Sequence, residues 1–381
     1  MKFKLNKAEH LVCFALLNKI EKSKLSMREN KAASSSLIFH AVDGKLYVQS
    51  ENNFCGSKFL LKNVQPTEDG TFGLDITTFF IALNNFPTEE IQFIYNLEEN
   101  LLIFGNKKTR VSLASVPVDN FVVSFSEDLE PLDITVDDFV HSIKMTSFSC
   151  APDFDEHPYT SILWFIEDGK INAQSSDKHR ISVFGKKYEL QQSYLISKTI
   201  SDVILYYIEK IPGIVFSLYN SKIYLTWGGG ELSCNLEKNT YEKIFSNFNQ
   251  FFSDQFFLTL ELQKDALVKS VKFVSSIANS HMISLGFDIN KLVISGNSNE
   301  KNAVVDTIDI ENYELFSVSY VSSHLIRALD LLDSKKIKLN FIKLLPPNYT
   351  GKYNQKYNQK QPPSTPGHPM VSLNSTLIGS Q

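Results

Sequence analysis

The hydrophobic pattern of the chain switches repeatedly between two periods. Apolar residues spaced three to four apart predict amphipathic helices at AEHLVCFALLNKI, VDDFVHSIKMTSF and KDALVKSVKFVSSI. Apolar residues at every second position then predict a hairpin after each helix, at residues 35–59, 160–184 and 281–298. The first two hairpins turn at Asp-Gly, and the third turns at Ile-Asn with Asn290 in place of the glycine.

The same order of elements recurs three times. The first two hairpins align without a gap, so that Gly44 meets Gly169 and the Asp-Gly-Lys and Gln-Ser pairs coincide. A second helix running into a strand follows each hairpin, at ITTFFIALNNFPTEEIQFIYN, SKTISDVILYYIEKIPGIVFSLYN and SSHLIRALDLLDSKKIKLNFI. A closing strand pair follows in the first two units. We therefore predict an α+β fold of three repeated domains with helices beside antiparallel sheets, at residues 1–131, 132–252 and 253–381.

The predicted helices carry cations away from their apolar stripes. Leu267, Val271 and Val274 form one stripe, which leaves Lys269 and Lys272 on another face. Lysines occupy exposed helix faces in every soluble protein, so a single residue indicates nothing. Corresponding helices of repeated domains present equivalent faces on the same side of the arc that the repeats form, however. Modest cationic patches on all six helices would then form one positive surface that binds phosphates without reading bases.

Charge and cysteine content limit the alternatives. A net charge of −4 excludes a uniformly basic surface but permits a local one. Four scattered cysteines predict buried free thiols in a reducing compartment, without disulfides or zinc. The chain has no apolar run long enough to span a bilayer and no signal-peptide core, so we expect a cytoplasmic protein.

A cluster of ionisable residues, Asp177-Lys178-His179-Arg180, follows the second hairpin and raises the question of catalysis. Residues 153–157 (DFDEH) could contribute to a metal site nearby. The chain has no HExxH, no GxSxG with distant partners and no phosphate-binding glycine loop, and WGGGE lies at a hairpin turn. The sequence therefore predicts no enzyme, no cofactor and no metal.

The repeat, together with three segments, resembles the bacterial DNA sliding clamp, the beta processivity subunit of the replicative polymerase. The resemblance runs from Met1 to about Phe341 and is carried by MKFKLNKAEHL, RVSLASVPVDNF and YTSILWFIEDGKINAQSSDKHRISVF. The last segment is the most specific, because the family has Thr-Asp-Gly-His-Arg-Leu after this hairpin. The resemblance implies a crescent of three domains, and a head-to-tail homodimer that closes as a ring around double-stranded DNA. Implied partners are the replicative polymerase, the clamp loader and repair proteins that dock short linear motifs. A divergent clamp of a phage or mobile element is consistent with the sequence.

The resemblance also implies two sets of site residues. The DNA-facing candidates are Arg28, Lys144, Lys198, Lys269 and Lys272, followed by Lys22, Lys24, Tyr159 and Arg327. A hydrophobic peptide pocket between the second and third domains would involve Ser176, Lys178, His179, Arg180, Ile181, Tyr241, Ile244, Phe245, Pro369 and Met370. We expect His179 and Arg180 to hold the turn and the pocket wall, and Ile181 to supply apolar surface.

The chain departs from the family pattern at this pocket. Lys178 replaces the usual glycine, and Tyr241 stands where the pocket proline should be. From about residue 346 the chain is of low complexity, with KYNQKYNQK and QPPSTPGHP, which we expect to be disordered or loop-like. HPMVSL resembles the short apolar C-terminal strand that completes the family's pocket, with Pro369, Met370 and Val371 in its place. We therefore expect a peptide site tuned to different partners.

Other functions need different features. A monomeric processivity factor that binds DNA through one face would have the same helices, but no complementary strand edges at its two ends. A hydrolase would need a catalytic constellation, and a purely structural module would not need cations on equivalent helices.

Overall fold

A computed structural model describes residues 1–23, 36–118, 129–152, 157–186, 188–189, 191–249, 258–278, 281–297, 303–311, 316–332, 334–342 and 370–374. It divides into two compact units, residues 1–242 and 243–381. The division into three domains stays a prediction. Lys24, Arg28, Pro369 and the acidic residues of DFDEH lie outside the described residues.

The first unit contains the two predicted helix pairs. These are α1 (Lys7–Lys22), α2 (Ile76–Asn84), α3 (Val136–Ser147) and α4 (Lys198–Lys210). Each begins after a polar residue, Asn6, Asp75, Thr135 or Ser197, whose side chain accepts a hydrogen bond from the backbone N–H three residues on. Such a cap satisfies one of the free N–H groups of the first turn, which fixes where each helix begins.

Sixteen strands of the first unit form three antiparallel sheets. They are β1 (Lys2–Asn6), β2 (Ser36–Val42), β3 (Lys45–Glu51), β4 (Cys55–Leu60), β5 (Gly70–Asp75), β6 (Glu90–Asn96), β7 (Leu101–Gly105), β8 (Arg110–Ala114), β9 (Ser161–Glu167), β10 (Lys170–Ser176), β11 (Ile181–Phe184), β12 (Tyr194–Ser197), β13 (Val215–Tyr219), β14 (Lys222–Trp227), β15 (Gly230–Asn235) and β16 (Glu237–Lys238). The strand orders are β1-β6-β7-β8, β11-β10-β9-β12-β16 and β13-β14-β15-β4-β3-β2-β5. The last sheet contains strands of both the first and the second repeat, joined where β15 pairs with β4.

The two Asp-Gly turns have the predicted geometry. Asp43 and Asp168 have φ values of 51° and 50°, and the glycines after them have φ values of 69° and 70°. Two successive positive φ values define the type I′ turn that matches the twist of a two-stranded hairpin. The first two predicted hairpins, β2–β3 and β9–β10, are thereby confirmed.

Aromatic side chains fill the core under the helices of the first unit. Phe39 stacks on Phe72 at 4.8 Å between ring centroids, and Phe3 stacks on Phe93 at 4.9 Å. Phe39, Phe72 and Phe93 are at most 1% exposed. All four cysteines are buried, as the sequence predicts, and their thiols are free.

The second unit carries the third repeat. Its helices are α5 (Glu242–Phe248), which begins at the boundary, α6 (Lys264–Ala278) and α7 (Ser322–Asp330). Its strands are β17 (Leu258–Gln263), β18 (Met282–Asp288), β19 (Lys291–Asn297), β20 (Ala303–Asp309), β21 (Phe316–Val321), β22 (Lys336–Ile342) and β23 (Met370–Asn374). They form the sheets β17-β22-β23 and β20-β19-β18-β21. The third hairpin, β18–β19, is confirmed, and Asn290 has a φ of 56° in its turn.

The apolar stripe of α6 is also confirmed, since Leu267, Val271 and Val274 are fully buried. Residues Met370–Asn374, which include most of HPMVSL, form β23 and pair with β22. It takes the place that β14 has beside β13 in the second repeat, although residues 343–369 intervene. In the part of the chain that the structure describes, we find no helix both long and apolar enough to cross a membrane.

Candidate nucleic-acid and peptide-binding sites

The helices of the first unit form a row that carries several cations. α1 packs against α2 and α4, and α4 packs against α3. Lys22 and Lys144 are exposed in the last turns of α1 and α3, while Lys198 is half-buried at the first position of α4. A lysine in a last turn is favoured by the partial negative charge of the helix C-terminus.

Two cations from two of these helices, Lys19 of α1 and Lys210 of α4, lie over one tyrosine ring, and Lys144 of α3 acts on the neighbouring Glu209. The Nζ atoms of Lys19 and Lys210 lie 5.7 and 5.9 Å from the centroid of the half-buried Tyr206 ring. Lys210 Nζ also pairs with Glu209 Oε1 at 2.8 Å. The hydrogen bond and charge of Lys210, and more weakly the charge of Lys144, lower the pKa of Glu209. We call Lys19, Lys210 and Tyr206, together with Lys144 near Glu209, the cation–tyrosine cluster.

Tyr206 and Lys210 are not among the site residues predicted from the sequence. Their i, i+4 spacing places them on the same face of α4, which is the one signal in the sequence that could have found the pair. The contribution of Lys19 from α1 depends on tertiary packing between helices far apart in sequence.

The DNA-facing candidates of the second unit lie on α6 and α7. Lys269, Lys272 and Arg327 are all exposed, and Lys272 Nζ lies 3.4 Å from Asp330 Oδ2 on α7. This exposed pair is weak and leaves Lys272 able to exchange partners. The expectation of six cationic helices is wrong for α2, whose sequence ITTFFIALN contains neither lysine nor arginine.

The cluster Asp177–Arg180 forms a closed turn between β10 and β11. Asp177 Oδ1 accepts the backbone N–H groups of His179 at 3.0 Å and Arg180 at 2.7 Å. Asp177 Oδ2 accepts Arg180 Nε at 2.8 Å and also the Nη2 group. Burial alone would raise the pKa of Asp177, but the hydrogen bonds and charge of Arg180 and the two backbone donors outweigh it and lower the pKa. Asp177 and Arg180 therefore satisfy each other and hold the turn, as expected for Arg180.

Lys178 occupies a backbone conformation suited to glycine. Its φ is 72°, in the left-handed region, and its N–H donates to Ser176 Oγ at 3.0 Å. Its Nζ lies 4.8 Å from the centroid of the Tyr159 ring. The turn thus keeps the geometry of a glycine, while the long side chain covers Tyr159. This places Tyr159, a DNA-facing candidate, beside the peptide-site turn.

The remaining peptide-site candidates divide into exposed and buried groups. The His179 side chain is exposed, and Ile181, which pairs with the buried Ser176, is half-buried. Tyr241 is half-buried, and its ring meets the edge of the His157 ring at 5.0 Å. The segment 157–159 therefore lies against both Tyr241 and Lys178 in the first unit.

Two candidates near the boundary of the second unit also differ in exposure. Phe245 is only 2% exposed and packs against Phe248 at 5.6 Å, so it supports α5 rather than offering surface to a ligand. Ile244 is half-buried. The backbone of Met370 pairs with Ile342 in the β22–β23 ladder.

The described residues contain no group of three or more His, Cys, Asp or Glu side chains that could hold a metal. The titratable residues with lowered or raised pKa values at this site, such as Asp177, have structural partners. The arrangement is suited to binding phosphate on helix faces and to presenting a fixed turn.

Comparison with known proteins finds similarity in structure alone. No family model matches the chain, and no curated protein matches it by sequence. The DNA polymerase sliding clamp of Bacillus subtilis matches with a TM-score of 0.76 and 15% identity, over 89% of this chain and 92% of that one. The DNA polymerase III beta subunit of Thermotoga maritima matches with a TM-score of 0.74 and 16% identity, over 90% and 92%. That of Pseudomonas aeruginosa matches with 0.72 and 14%, over 89% and 93%. This chain therefore has the fold of the bacterial DNA polymerase III beta subunit, the sliding clamp.

Proposed function

We propose that this protein is a sliding clamp that encircles duplex DNA and tethers a replicative polymerase, with no catalytic activity of its own. The similarity in fold and the cations on five of the six repeated helices support this function. The observation that carries the proposal is the joint between the first two repeats, where β15 pairs with β4.

The repeat leaves equivalent strands without that pairing among the described residues. β8 is the counterpart of β15 and ends the sheet β1-β6-β7-β8, while β20 is the counterpart of β4 and ends the sheet β20-β19-β18-β21. Open edges of this kind invite pairing with another chain. We propose that β8 of one copy pairs with β20 of a second copy, and that two such joints close a head-to-tail dimer.

The register of this joint can be carried over from the observed one. Leu232 faces Ser57 in the β15–β4 ladder. Equivalent positions in the hairpins β7–β8 and β19–β20 are Val111 and Val304, so Val111 should face Val304 of the second copy. Arg110 should then face Val305, which is 59% exposed in the single chain. Burial of these apolar groups would stabilise the closed form.

A closed ring accounts for DNA binding by an acidic protein. Because a ring leaves circular DNA only by opening, its individual phosphate contacts can be weak and independent of sequence. The cation–tyrosine cluster and the lysines of α6 would supply those contacts, while the rest of the surface carries the net negative charge. Sliding follows because no contact reads a base.

We also propose that polymerase, clamp loader and other partners bind through short peptides at the segment Ser176–Ile181. The fixed turn, the half-buried Ile181 and the nearby Tyr241 are the features that support this role. An extended peptide could contact apolar surface there while its backbone finds hydrogen-bond partners.

The test of the dimer places a charge at the proposed joint. Light scattering of the wild type should give about 87 kDa, twice the 43.3 kDa of the chain. Val305→Asp should give a monomer. The matched control is Val215→Asp, which changes an exposed valine on the edge strand β13, outside the proposed joint. A wild-type monomer would instead favour the alternative, a processivity factor that binds DNA through one face.

A further inference from the structure

Two cysteines face each other at the joint between the first two repeats. Cys55 is the first residue of β4, and Cys234 lies directly opposite it near the end of β15. The backbone N–H of Asn235 donates to Phe54 O at 2.7 Å, which makes Cys55 and Cys234 a non-hydrogen-bonded pair of the antiparallel ladder. The Cα atoms of such pairs are about 4.5 Å apart, within the range of about 4.4–6.8 Å that a disulfide requires.

The two thiols also interact with each other inside the core. Cys55 is 3% exposed and Cys234 is fully buried. Burial, and then the hydrogen bond and the proximity of Cys55, raise the pKa of Cys234 well above its ordinary value. Cys13 of α1 lies near the same position, because the charges of Cys13, Cys234 and Cys55 add to burial in raising the pKa of Tyr207. Cys13 belongs to a helix, however, and has no ladder partner that would aim its sulfur at another.

We propose that Cys55 and Cys234 are a redox-active pair that a hydroperoxide converts to a cross-strand disulfide. One thiol loses its proton and attacks a peroxide oxygen, which gives a sulfenic acid, while the departing oxygen takes the proton and leaves as alcohol or water. The second thiol attacks that sulfur, and the hydroxyl group leaves with the thiol proton as water. The two thiols thereby lose two electrons and two protons, and the peroxide is reduced. Thiol–disulfide exchange with a small dithiol reverses the bond.

The pair lies at the end of the β4–β15 ladder, where local opening would give an oxidant access to the buried thiols. The hydrogen bonds at this end include the backbone N–H of Asn235 to Phe54 O, the Asn235 side chain to Asn53 O at 2.7 Å, and the Asn52 N–H to Cys55 O at 2.8 Å. The Asn52 side chain also donates to Ile20 O at 2.9 Å. Asn52 Oδ1 accepts the N–H groups of Phe54 and Cys55, both at 2.8 Å. Local opening of this last rung exposes the thiols without unfolding the sheet. Oxidation then links the first repeat covalently to the second. The proposed disulfide does not rest on the proposed binding of DNA.

The experiment treats the full-length folded protein with hydrogen peroxide, alkylates the remaining thiols in denaturant and maps the peptides by mass spectrometry. We expect one linked peptide pair, Cys55 with Cys234, that dithiothreitol separates. The oxidised protein should unfold at a temperature higher by roughly 5–10 °C, because the cross-link constrains the unfolded chain. Cys150→Ser should behave like the wild type, and Cys55→Ser should gain no stability on oxidation.

Two results would overturn the assignment. One is a map of the folded wild type in which Cys55 and Cys234 are both alkylated, although the same dose of peroxide links them in the denatured chain. The other is a map that links Cys13 to either residue. Because the wild-type map decides, a folding defect in a cysteine variant leaves the test intact.

Discussion

The turn Asp177–Arg180 allows a quantitative test of whether this cluster of ionisable residues serves structure. Asp177→Ala removes the acceptor of two backbone N–H groups and of two N–H groups of the Arg180 guanidinium. It leaves Arg180, whose side chain is 24% exposed, without its partner. Asp177→Asn keeps an oxygen for the backbone donors but removes the charge.

The expected loss is set by these bonds and by their exposure. Breaking a buried charged pair costs about 3–5 kcal/mol, and a hydrogen bond to a charged group contributes about 1.5–3 kcal/mol. Solvent reaches both side chains here, so we expect about 2 kcal/mol for Asp177→Ala and about 1 kcal/mol for Asp177→Asn. At a typical urea dependence, the larger loss lowers the unfolding midpoint by about 0.5–1 M.

Tryptophan fluorescence reports the unfolding of the first unit, which contains Asp177. The chain has two tryptophans, Trp164 and Trp227, and both lie in the first unit, so the signal reports its unfolding alone. Asp168→Asn is the matched control, because Asp168 forms an ion pair with Lys186 at 3.2 Å in which both side chains are exposed. We expect no shift for the control. An unchanged midpoint for Asp177→Ala would refute the structural role of the turn.

Three further predictions concern the same surfaces. Lys178→Gly should unfold at the same urea concentration as the wild type or a higher one, because φ of 72° suits glycine, whereas Lys178→Val should be destabilised by about 1–2 kcal/mol. The difference in unfolding free energy between wild type and Asp177→Asn should be constant above the ordinary carboxyl pKa of 3.8. It should narrow as the pH falls toward and through the lowered pKa of the folded state, because the carboxyl of the unfolded chain takes up its proton first. A difference that widens in acid would contradict the direction of the pKa shift. Lys144→Ser combined with Lys210→Ser should weaken binding to a short DNA duplex, measured by fluorescence anisotropy. The slope of the logarithm of the binding constant against the logarithm of salt concentration should become shallower by up to about 1.8. Lys222→Ser, on strand β14, is the control that should leave binding unchanged.

Local features of the chain were predictable from its sequence. The hairpins follow from Asp-Gly turns between alternating residues, and the helices follow from their stripes and polar caps. Because these signals act over a few residues, they are present in the order of the amino acids. The short strand β23 was indicated only by the resemblance to the family, and its pairing with β22 was not predicted.

Features that depend on distant contacts were not predictable. The β4–β15 ladder joins residues more than a hundred positions apart, so nothing in either strand indicated that Cys55 would face Cys234. The gathering of Lys19 and Lys210 around Tyr206 likewise depends on the packing of α1 beside α4. The burial of Phe245 also depends on tertiary packing, since an apolar residue in the sequence can be a ligand contact or core.

Retention on DNA of different topology tests the ring most directly. The purified protein would be incubated with circular duplex DNA, with or without a bacterial clamp loader, and the circle would then be cut. A closed ring stays on the circle at moderate salt and leaves through the ends once the DNA is linear. Equal retention on circular and linear DNA, fading with salt alone, would contradict the ring and favour a protein that binds through one face.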